Sequence, residues 1–335
     1  MTPSATSIIV QSTVLELAAG YKELVGEPRI VGLNAHPKFS RLLGKAKRKD
    51  LSPNLGTELR DVQLKDLTND QVEDLAAFVS IRGVVVFRDQ QLSVEDHLAF
   101  AQRLGDLQET NHPCSKGLHP ALLPIAADKD SKFAPGEAWH SDMCEEPYPP
   151  GYSILYMEKV PASGGDTLYA NMYAAYDKLS PPMKKFLEGK TAVTRRGTRK
   201  YRGNLEQGRN TACSHPVIRT HPVTGWQMLF TNEPCAVHLD GHSPLESEHI
   251  LRMLAQHIEK SPEFQIRLHW EAHSVAIWDN RAVQHQAIWD YWPAERKGRR
   301  VAVIGGKPYY DPNGKSQAEE WGENEAPRFL RHAEE

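Results

Sequence analysis

The sequence predicts a mainly β fold, a sandwich or barrel of jelly-roll type with helices packed on its outside. The first observation is a series of short stretches rich in β-branched residues, separated by turns that contain Gly and Pro. The second is that only a few stretches have the 3.6-residue periodicity of a helix. The 335 residues contain no internal repeat, no G-x-G-x-x-G motif and no P-loop motif. We therefore expect a β core with flanking helices.

Two helices on either side of a buried strand are predicted in the first third of the chain. The first helix spans 67–83 and has Thr68 or Asn69 at its N-cap. The β-branched run at 83–90 indicates a strand that is buried on both faces. The second helix spans 93–105 and begins with a Ser-x-x-Asp capping pattern.

The middle and the C-terminal half are dominated by short strands. Helices are expected only at 173–188 and at about 245–260, where Pro244 marks the start. The expected strands are 152–160, 166–172, 191–196, 215–222, 264–270, 273–280 and 299–306.

These elements lie in one predicted domain that spans 56–310. Residues 1–55 are expected to be an irregular N-terminal extension, and its basic cluster at 44–50 is interpreted as a solvated linker. Residues 311–335 are expected to be a C-terminal tail.

Composition excludes several classes of partner. Charged residues make up 25% of the chain, and the formal net charge is −3, so neither nucleic acid nor an anionic membrane surface is expected as a partner. No apolar run is long enough to cross a membrane, and the N-terminus lacks the features of a signal peptide. The cysteines are scattered without a C-x-x-C motif, so all four are expected to be reduced in a cytoplasmic protein: Cys114, Cys144, Cys213 and Cys235.

Histidines two residues before a carboxylate are the candidate metal ligands. A mononuclear Fe(II) oxygenase needs two imidazoles and one carboxylate, with the opposite face open for O₂ and a cosubstrate. His-x-Asp occurs at His140 and His238, and His-x-Glu occurs at His257, His269 and His332. In an extended strand, residues i and i+2 point to the same face, so each pair has the required geometry only outside a helix. This argues against His257, which lies in a predicted helix.

His140 and Asp142 have the more informative context. They are followed by GGDT at 164–167 and later by His285, Arg296 and Arg300. An arginine that follows the second histidine at this distance suits a site for a dicarboxylate, because guanidinium binds a carboxylate through two parallel hydrogen bonds. If 296–300 is extended, both arginines point to the same face.

The competing pair, His238 and Asp240, stays open on this reasoning alone. It lies in a stretch punctuated by Gly and Pro, and Asp240-Gly241 is typical of a turn. However, His285 also follows this pair, 47 residues after His238.

Six stretches together resemble the TauD/TfdA family of Fe(II)/2-oxoglutarate-dependent dioxygenases. They are WHSD, the PP at 149–150, GGDTLY, YAAYDKLSP, SHPVIRTHPVTG and WDNRAVQH, and the similarity runs from about Gly56 to Pro308. The resemblance implies a double-stranded β-helix core, and it implies that O₂ and 2-oxoglutarate are consumed while a substrate C–H bond is oxidised. It further implies that iron is bound by His140, Asp142 and His285, and that 2-oxoglutarate is held by Thr167 and Arg296.

The resemblance is weaker on the substrate side. Taurine-cleaving members bind the sulfonate with an arginine and a histidine, which Arg300 and His112 match. A tyrosine expected near that histidine is Ser115 here, and no amide occurs in APGEA at 134–138. After TAV, where the family usually has a small or aromatic pocket residue, this chain has a basic segment at 195–202. That segment is either a solvated turn or a source of an extra cation near the pocket mouth. We therefore expect a small anionic substrate, with a sulfonate ahead of a carboxylate such as an amino acid, and leave open whether the chain forms a homo-oligomer.

Two functions from other classes remain as alternatives. A catalytically silent jelly-roll binding protein would not need an intact His-Asp-His set together with Arg296. A zinc hydrolase with the same three ligands would leave the GGDT stretch and Arg296 without a role.

Overall fold

The computed structural model describes residues 29–110, 113–132, 136–195 and 212–321, which contain fifteen strands and seven α-helices. The strands are β1 Lys47–Asp50, β2 Thr57–Arg60, β3 Val84–Phe87, β4 Leu122–Ala127, β5 Pro150–Lys159, β6 Thr167–Asn171, β7 Thr191–Arg195, β8 Ala212–Pro216, β9 Ile218–Thr220, β10 Gln227–Leu229, β11 Ala236–Leu239, β12 Gln265–Leu268, β13 Val275–Asp279, β14 Val283–Ala287 and β15 Arg296–Ile304. The helices are α1 Ser40–Leu43, α2 Asn69–Arg82, α3 Val94–Leu104, α4 Met172–Asp177, α5 Pro181–Leu187, α6 Pro244–Glu259 and α7 Gln317–Glu320. None of these helices is long and apolar enough to cross a membrane.

A seven-stranded sheet forms the larger layer of the fold. Its order is β1-β2-β3-β13-β5-β15-β4, and every neighbouring pair is antiparallel except β2 and β3. The central strands β3 and β13 are fully buried because apolar side chains cover both faces.

Three smaller sheets complete the β structure, with the orders β12-β6-β14, β11-β7-β8 and β10-β9. Side chains of the β12-β6-β14 sheet pack against the inner face of the large sheet, with Tyr169 and Val283 from one layer meeting Leu155, Met157 and Trp278 from the other. Two layers of mainly antiparallel strands around one apolar interior make a jelly roll, so the predicted fold class is confirmed.

Helices α2 and α3 cover the outer face of the large sheet, where their apolar side chains join one core cluster with the strands. Both begin at a capping box, formed by Thr68 with Gln71 and by Ser93 with Asp96. The two helices and the buried strand between them lie where the sequence predicts.

Some elements differ from the prediction. The helix expected at 173–188 is two helices, because Ser180 caps a new helix that starts at Pro181. The strand expected at 215–222 is divided between β8 and β9. The basic cluster at 44–50 is not a linker: its side chains are exposed, but its backbone forms β1 and pairs with β2.

The expectation that all four cysteines are reduced is wrong. The structure joins Cys144 to Cys235 in a disulfide, whereas Cys213 is a buried thiol. The two bonded cysteines are 91 residues apart in the sequence. Only the tertiary fold brings the segment after Asp142 against the start of β11, so no local pattern could reveal the pair.

Candidate metal and cosubstrate site

His140 and His285 lie side by side because their backbones pair as a short antiparallel bridge. The His140 amide donates to the His285 carbonyl at 3.1 Å, and the His285 amide donates to the His140 carbonyl at 2.9 Å. Strand β14 carries His285 and pairs with β6, which fixes the register of His285 against Tyr169. The two imidazole centroids are 4.2 Å apart. A backbone ladder therefore sets the distance between the two rings.

Asp142 reaches the same place from the segment that follows His140. Its backbone amide donates to Asn280 Oδ1 at 2.8 Å, and Asn280 Nδ2 returns a bond to the Asp142 carbonyl at 3.0 Å. Ser153 Oγ donates to Asp142 Oδ2 at 2.8 Å, and Arg300 Nη1 donates to Oδ1. These contacts orient the carboxylate so that Oδ1 faces the two histidines.

The three side chains form a donor set that suits a divalent metal. Asp142 Oδ1 lies 3.7 Å from His140 Nε2 and 3.8 Å from His285 Nε2, and one ligand atom from each residue falls within 4.8 Å of the others. Burial lowers the pKa of His285 to about 3, so this imidazole is neutral. Burial opposes ionisation of Asp142, but Arg300 and the histidines hold the pKa of its carboxyl well below the ordinary value. A neutral imidazole and an ionised carboxylate are the forms that bind metal.

The competing histidines lack such a set. His238 and Asp240 are 3.6 Å apart, but their side chains are 45% and 39% exposed, and no third ligand joins them among the described residues. His257 Nε2 is bonded to a backbone carbonyl, and the exposed His269 pairs with Asp166. His332 lies outside the described residues. The described chain holds one other cluster of donor atoms, and it contains the two disulfide sulfurs.

Arg296 of β15 and Thr167 of β6 are neighbours, and β6 pairs with β14, the strand that carries His285. Arg296 Nε donates to the Gly165 carbonyl at 3.0 Å, and Nη2 lies 3.5 Å from Thr167 Oγ1. Thr167 Oγ1 also accepts from Trp270 Nε1 at 3.0 Å. The Arg296 side chain is buried, and burial lowers its pKa. A buried guanidinium next to a hydroxyl is suited to a carboxylate ligand.

Comparison with known proteins identifies the family. Residues 47–302 match the sequence profile of the taurine catabolism dioxygenase TauD, TfdA family. The chain belongs to the TauD/TfdA family. An alpha-ketoglutarate-dependent sulfonate dioxygenase of Saccharomyces cerevisiae is 33% identical over 83% of this chain and 73% of its own length. An alpha-ketoglutarate-dependent sulfate ester dioxygenase of Pseudomonas putida is 31% identical, over 85% of this chain and 94% of its own.

A solved structure agrees with this assignment. The crystal structure of a taurine dioxygenase from Burkholderia xenovorans superposes with a TM-score of 0.69 at 33% identity, covering 81% of this chain and 94% of that one. As a TauD/TfdA member, the protein is a 2-oxoglutarate-dependent dioxygenase that uses Fe(II), 2-oxoglutarate and O₂.

Within this TauD/TfdA fold, β15 is extended over Arg296 and Arg300, as the sequence predicts. The two guanidinium groups nevertheless have different partners: Arg296 contacts Gly165 and Thr167, whereas Arg300 contacts Asp142. No pattern in the sequence indicates that Arg300 touches a candidate metal ligand.

Other residues of the substrate prediction are only partly described. His112 lies outside the described residues, as do 134–135 of the APGEA stretch and 196–202 of the basic segment. Ser115 is described and its side chain is buried.

Sequence reasoning missed the residues that support the site. Asn280 and Ser153 hold Asp142, and Trp270 holds Thr167. Tyr169 stacks against His285 with ring centroids 6.0 Å apart, and the Trp278 ring lies tilted beside His285 with centroids 4.8 Å apart. A polar residue directly after the buried strand β13 was the available signal for Asn280, since a buried amide needs hydrogen-bond partners.

Proposed function

We propose that this dioxygenase oxidises a C–H bond of a small anionic substrate, an alkylsulfonate in preference to a carboxylate such as an amino acid, and releases succinate and CO₂. The observation that carries the proposal is the cluster of His140, Asp142 and His285, in which Arg300 of β15 contacts Asp142, with a second arginine, Arg296, on the same strand. Cationic side chains at a site for 2-oxoglutarate and substrate favour ligands that are both anionic.

His140, Asp142 and His285 are the proposed ligands of Fe(II), which supplies the activation of O₂ when it is bound. Two nitrogens and one carboxylate oxygen are the donor set typical of non-haem Fe(II) oxygenases. The protein keeps this set in place through Asn280 and Ser153, whose hydrogen bonds to Asp142 fix the carboxylate.

Arg296 and Thr167 are the proposed binding residues for the distal carboxylate of 2-oxoglutarate. Arg296 forms no salt bridge with a carboxylate among the described side chains. Burial is the largest influence on the pKa of its guanidinium and lowers it. A buried cation without a counter-charge is stabilised when an anion binds beside it.

Arg300 and His112 are the proposed contacts for the anionic group of the substrate. Arg300 is close enough to the metal ligands to bond to Asp142 Oδ1. Relatives named for sulfonate and sulfate ester oxidation support an anion with sulfur–oxygen bonds as the first class to test.

Two measurements on the full chain test the proposal. Anaerobic addition of Fe(II) and 2-oxoglutarate is expected to produce a weak visible charge-transfer band, which zinc cannot produce. Succinate release is then measured with alkylsulfonates, sulfate esters, amino acids and aryloxy acids, and the sulfonates or sulfate esters are expected to give the greatest stimulation.

The same two measurements separate the alternatives. A silent binding protein would release no succinate with any compound, and a zinc hydrolase would show no band. Equal stimulation by neutral analogues of the best substrate would contradict the proposed anionic class.

A further inference from the structure

Arg219 is a buried arginine of the hairpin formed by β9 and β10. Its side chain is on the same face as Phe230, and its Cζ atom lies 3.0 Å from the centroid of the Phe230 ring. Only 3% of the residue is exposed. The phenyl ring thus covers one flat face of the guanidinium and leaves the N–H groups at its edge for other partners.

Two of those N–H donors have no partner. Neither Nε nor Nη2 of Arg219 makes a hydrogen bond within the part of the chain that the structure describes. Burial lowers the pKa of Arg219 well below its ordinary value, and no carboxylate counteracts this effect. A buried charge that lacks both a counter-ion and hydrogen bonds is strongly unfavourable.

Another arginine of the same fold, Arg281, is paired with a carboxylate. Arg281 binds Asp279 through Nε at 2.8 Å and Nη2 at 2.6 Å, which is the bidentate arrangement that guanidinium prefers. In Arg219 the same two nitrogens are the ones without partners. Nε–H and Nη2–H lie on one edge of the planar group and point the same way, so they match two oxygens of one carboxylate, sulfonate or sulfate.

Phe230, whose ring covers Arg219, packs in one cluster with Cys144, which lies in the segment that carries two of the candidate metal ligands. Asn232, two residues beyond Phe230, accepts from the Ser141 amide at 2.6 Å. His215 Nε2 is 3.0 Å from the carbonyl oxygen of Glu146. Arg219 is therefore on the side of segment 140–146 that faces the hairpin, whereas Arg296 and Arg300 approach from β15.

We propose that Arg219 forms a separate oxyanion-binding site, in which Nε and Nη2 bind two oxygens of a carboxylate, a sulfonate or a sulfate. The anion is either the charged group of the organic substrate or a free inorganic oxyanion. Its binding can be measured with sulfate alone, so the proposal stands or falls independently of the function proposed above.

The test compares the wild-type full chain with Arg219→Met in thermal melts, with sulfate replacing chloride at constant ionic strength. Sulfate binding at Arg219 is expected to raise the wild-type melting temperature by about 4 °C once the sulfate concentration exceeds the dissociation constant a hundredfold. Arg219→Met is expected to keep only the general stabilisation that sulfate gives to folded proteins. In chloride it is expected to melt at or above the wild-type temperature because it removes an uncompensated buried charge.

Two further variants keep the result interpretable. Arg103→Met removes a cation that is bonded to Asn69 at 3.1 Å, and it should retain the wild-type response to sulfate. Arg219→Lys keeps a charge but loses the two-pronged edge, so at least tenfold more sulfate is expected for the same shift. If Arg219→Met does not fold, the comparison of Arg219→Lys with the wild type tests the proposal instead.

The source of the anion follows from substrate-dependent succinate release. If the substrate supplies the anion, sulfate competes with the substrate and Arg219→Met raises the substrate KM at least tenfold. If a free anion is bound, the KM is unchanged while the sulfate response of the wild type persists. The proposal is overturned if wild type and Arg219→Met respond equally to sulfate, or if neither responds and Arg219→Met melts several degrees below the wild type.

Discussion

Asp142 and Asp279 are two buried aspartates with the same types of neighbour and different consequences. Each has an arginine, a serine and at least one histidine beside its carboxylate. Around Asp279 every contact is made: Arg281 binds through two nitrogens, His221 Nε2 lies at 3.0 Å and Ser80 Oγ donates at 3.0 Å. This carboxylate has its bonding capacity filled by the protein.

Around Asp142 the histidines stay beyond hydrogen-bonding distance. Their Nε2 atoms are 3.7 and 3.8 Å from Oδ1 and face it without bonding to it. The difference shows that an Asp-His-Arg set does not by itself indicate function. What distinguishes the candidate metal site is the bonding capacity that the protein leaves unused.

The largest effect is expected from removing a candidate metal ligand. His140→Ala, Asp142→Ala or His285→Ala should abolish Fe(II)-dependent turnover of 2-oxoglutarate, because each removes one of three protein ligands. His238→Ala is the matched control, since His238 also lies beside an aspartate but is half exposed. Succinate release measures the effect. Normal activity in His140→Ala together with an inactive His238→Ala would show that the metal site is formed by His238 and Asp240 instead.

A substitution at Asp279, whose hydrogen bonds are all made within the protein, should change the free energy of unfolding. Asp279→Asn leaves Arg281 buried without its counter-charge, which is expected to lower the free energy of unfolding by about 3–5 kcal/mol. Urea unfolding measures this difference. A variant as stable as the wild type would contradict the structural role of Asp279.

The free energy of unfolding of the wild type and of Asp279→Asn should also depend differently on pH. Burial opposes ionisation of Asp279, but Arg281 and His221 hold the pKa of its carboxyl well below the ordinary value. A depressed folded-state pKa contributes stability above the unfolded-state pKa of about 4, and this contribution is lost as the pH falls further. The stability gap between wild type and Asp279→Asn should therefore narrow below about pH 4.

A smaller effect is expected at Arg296, which leaves the metal ligands intact. Arg296→Ala should raise the apparent KM for 2-oxoglutarate at least tenfold, because loss of a buried charge partner weakens binding by roughly 2–5 kcal/mol. Lys297→Ala is the control, since this neighbour is exposed and pairs with Glu158 at 3.2 Å. An unchanged KM in Arg296→Ala would place the cosubstrate elsewhere.

The smallest expected effect is at Arg300, where charge is removed but hydrogen-bond donors remain. Arg300→Gln should raise the KM of the primary substrate by roughly tenfold, since charge-assisted bonds are about twice as strong as the neutral ones that remain. Turnover of 2-oxoglutarate without substrate should be unchanged. If both activities and the melting temperature fall together, Arg300 supports Asp142 and does not bind the substrate.

The sequence predicted those parts of the molecule that depend on local patterns. The helix caps at Thr68 and Ser93 and the buried strand between those helices follow from residue spacing. Spacing alone left His140 and His238 as alternatives, and the family resemblance favoured His140. The bond between Arg300 and Asp142 could not be predicted in this way, because it joins residues 158 positions apart. The disulfide and the support of Asp142 by Asn280 are long-range for the same reason.

The bridge between His140 and His285 makes the metal site a matter of strand register. Successive side chains of a strand alternate between faces, so sliding β14 by one residue against β6 would turn His285 away from His140. One extra residue inserted in β14 would thus turn His285 out of the site, although His285 itself would still be present in the sequence. Residues inserted in the loops between strands leave that alignment untouched, and the enclosing loops can therefore diversify while the metal site is preserved.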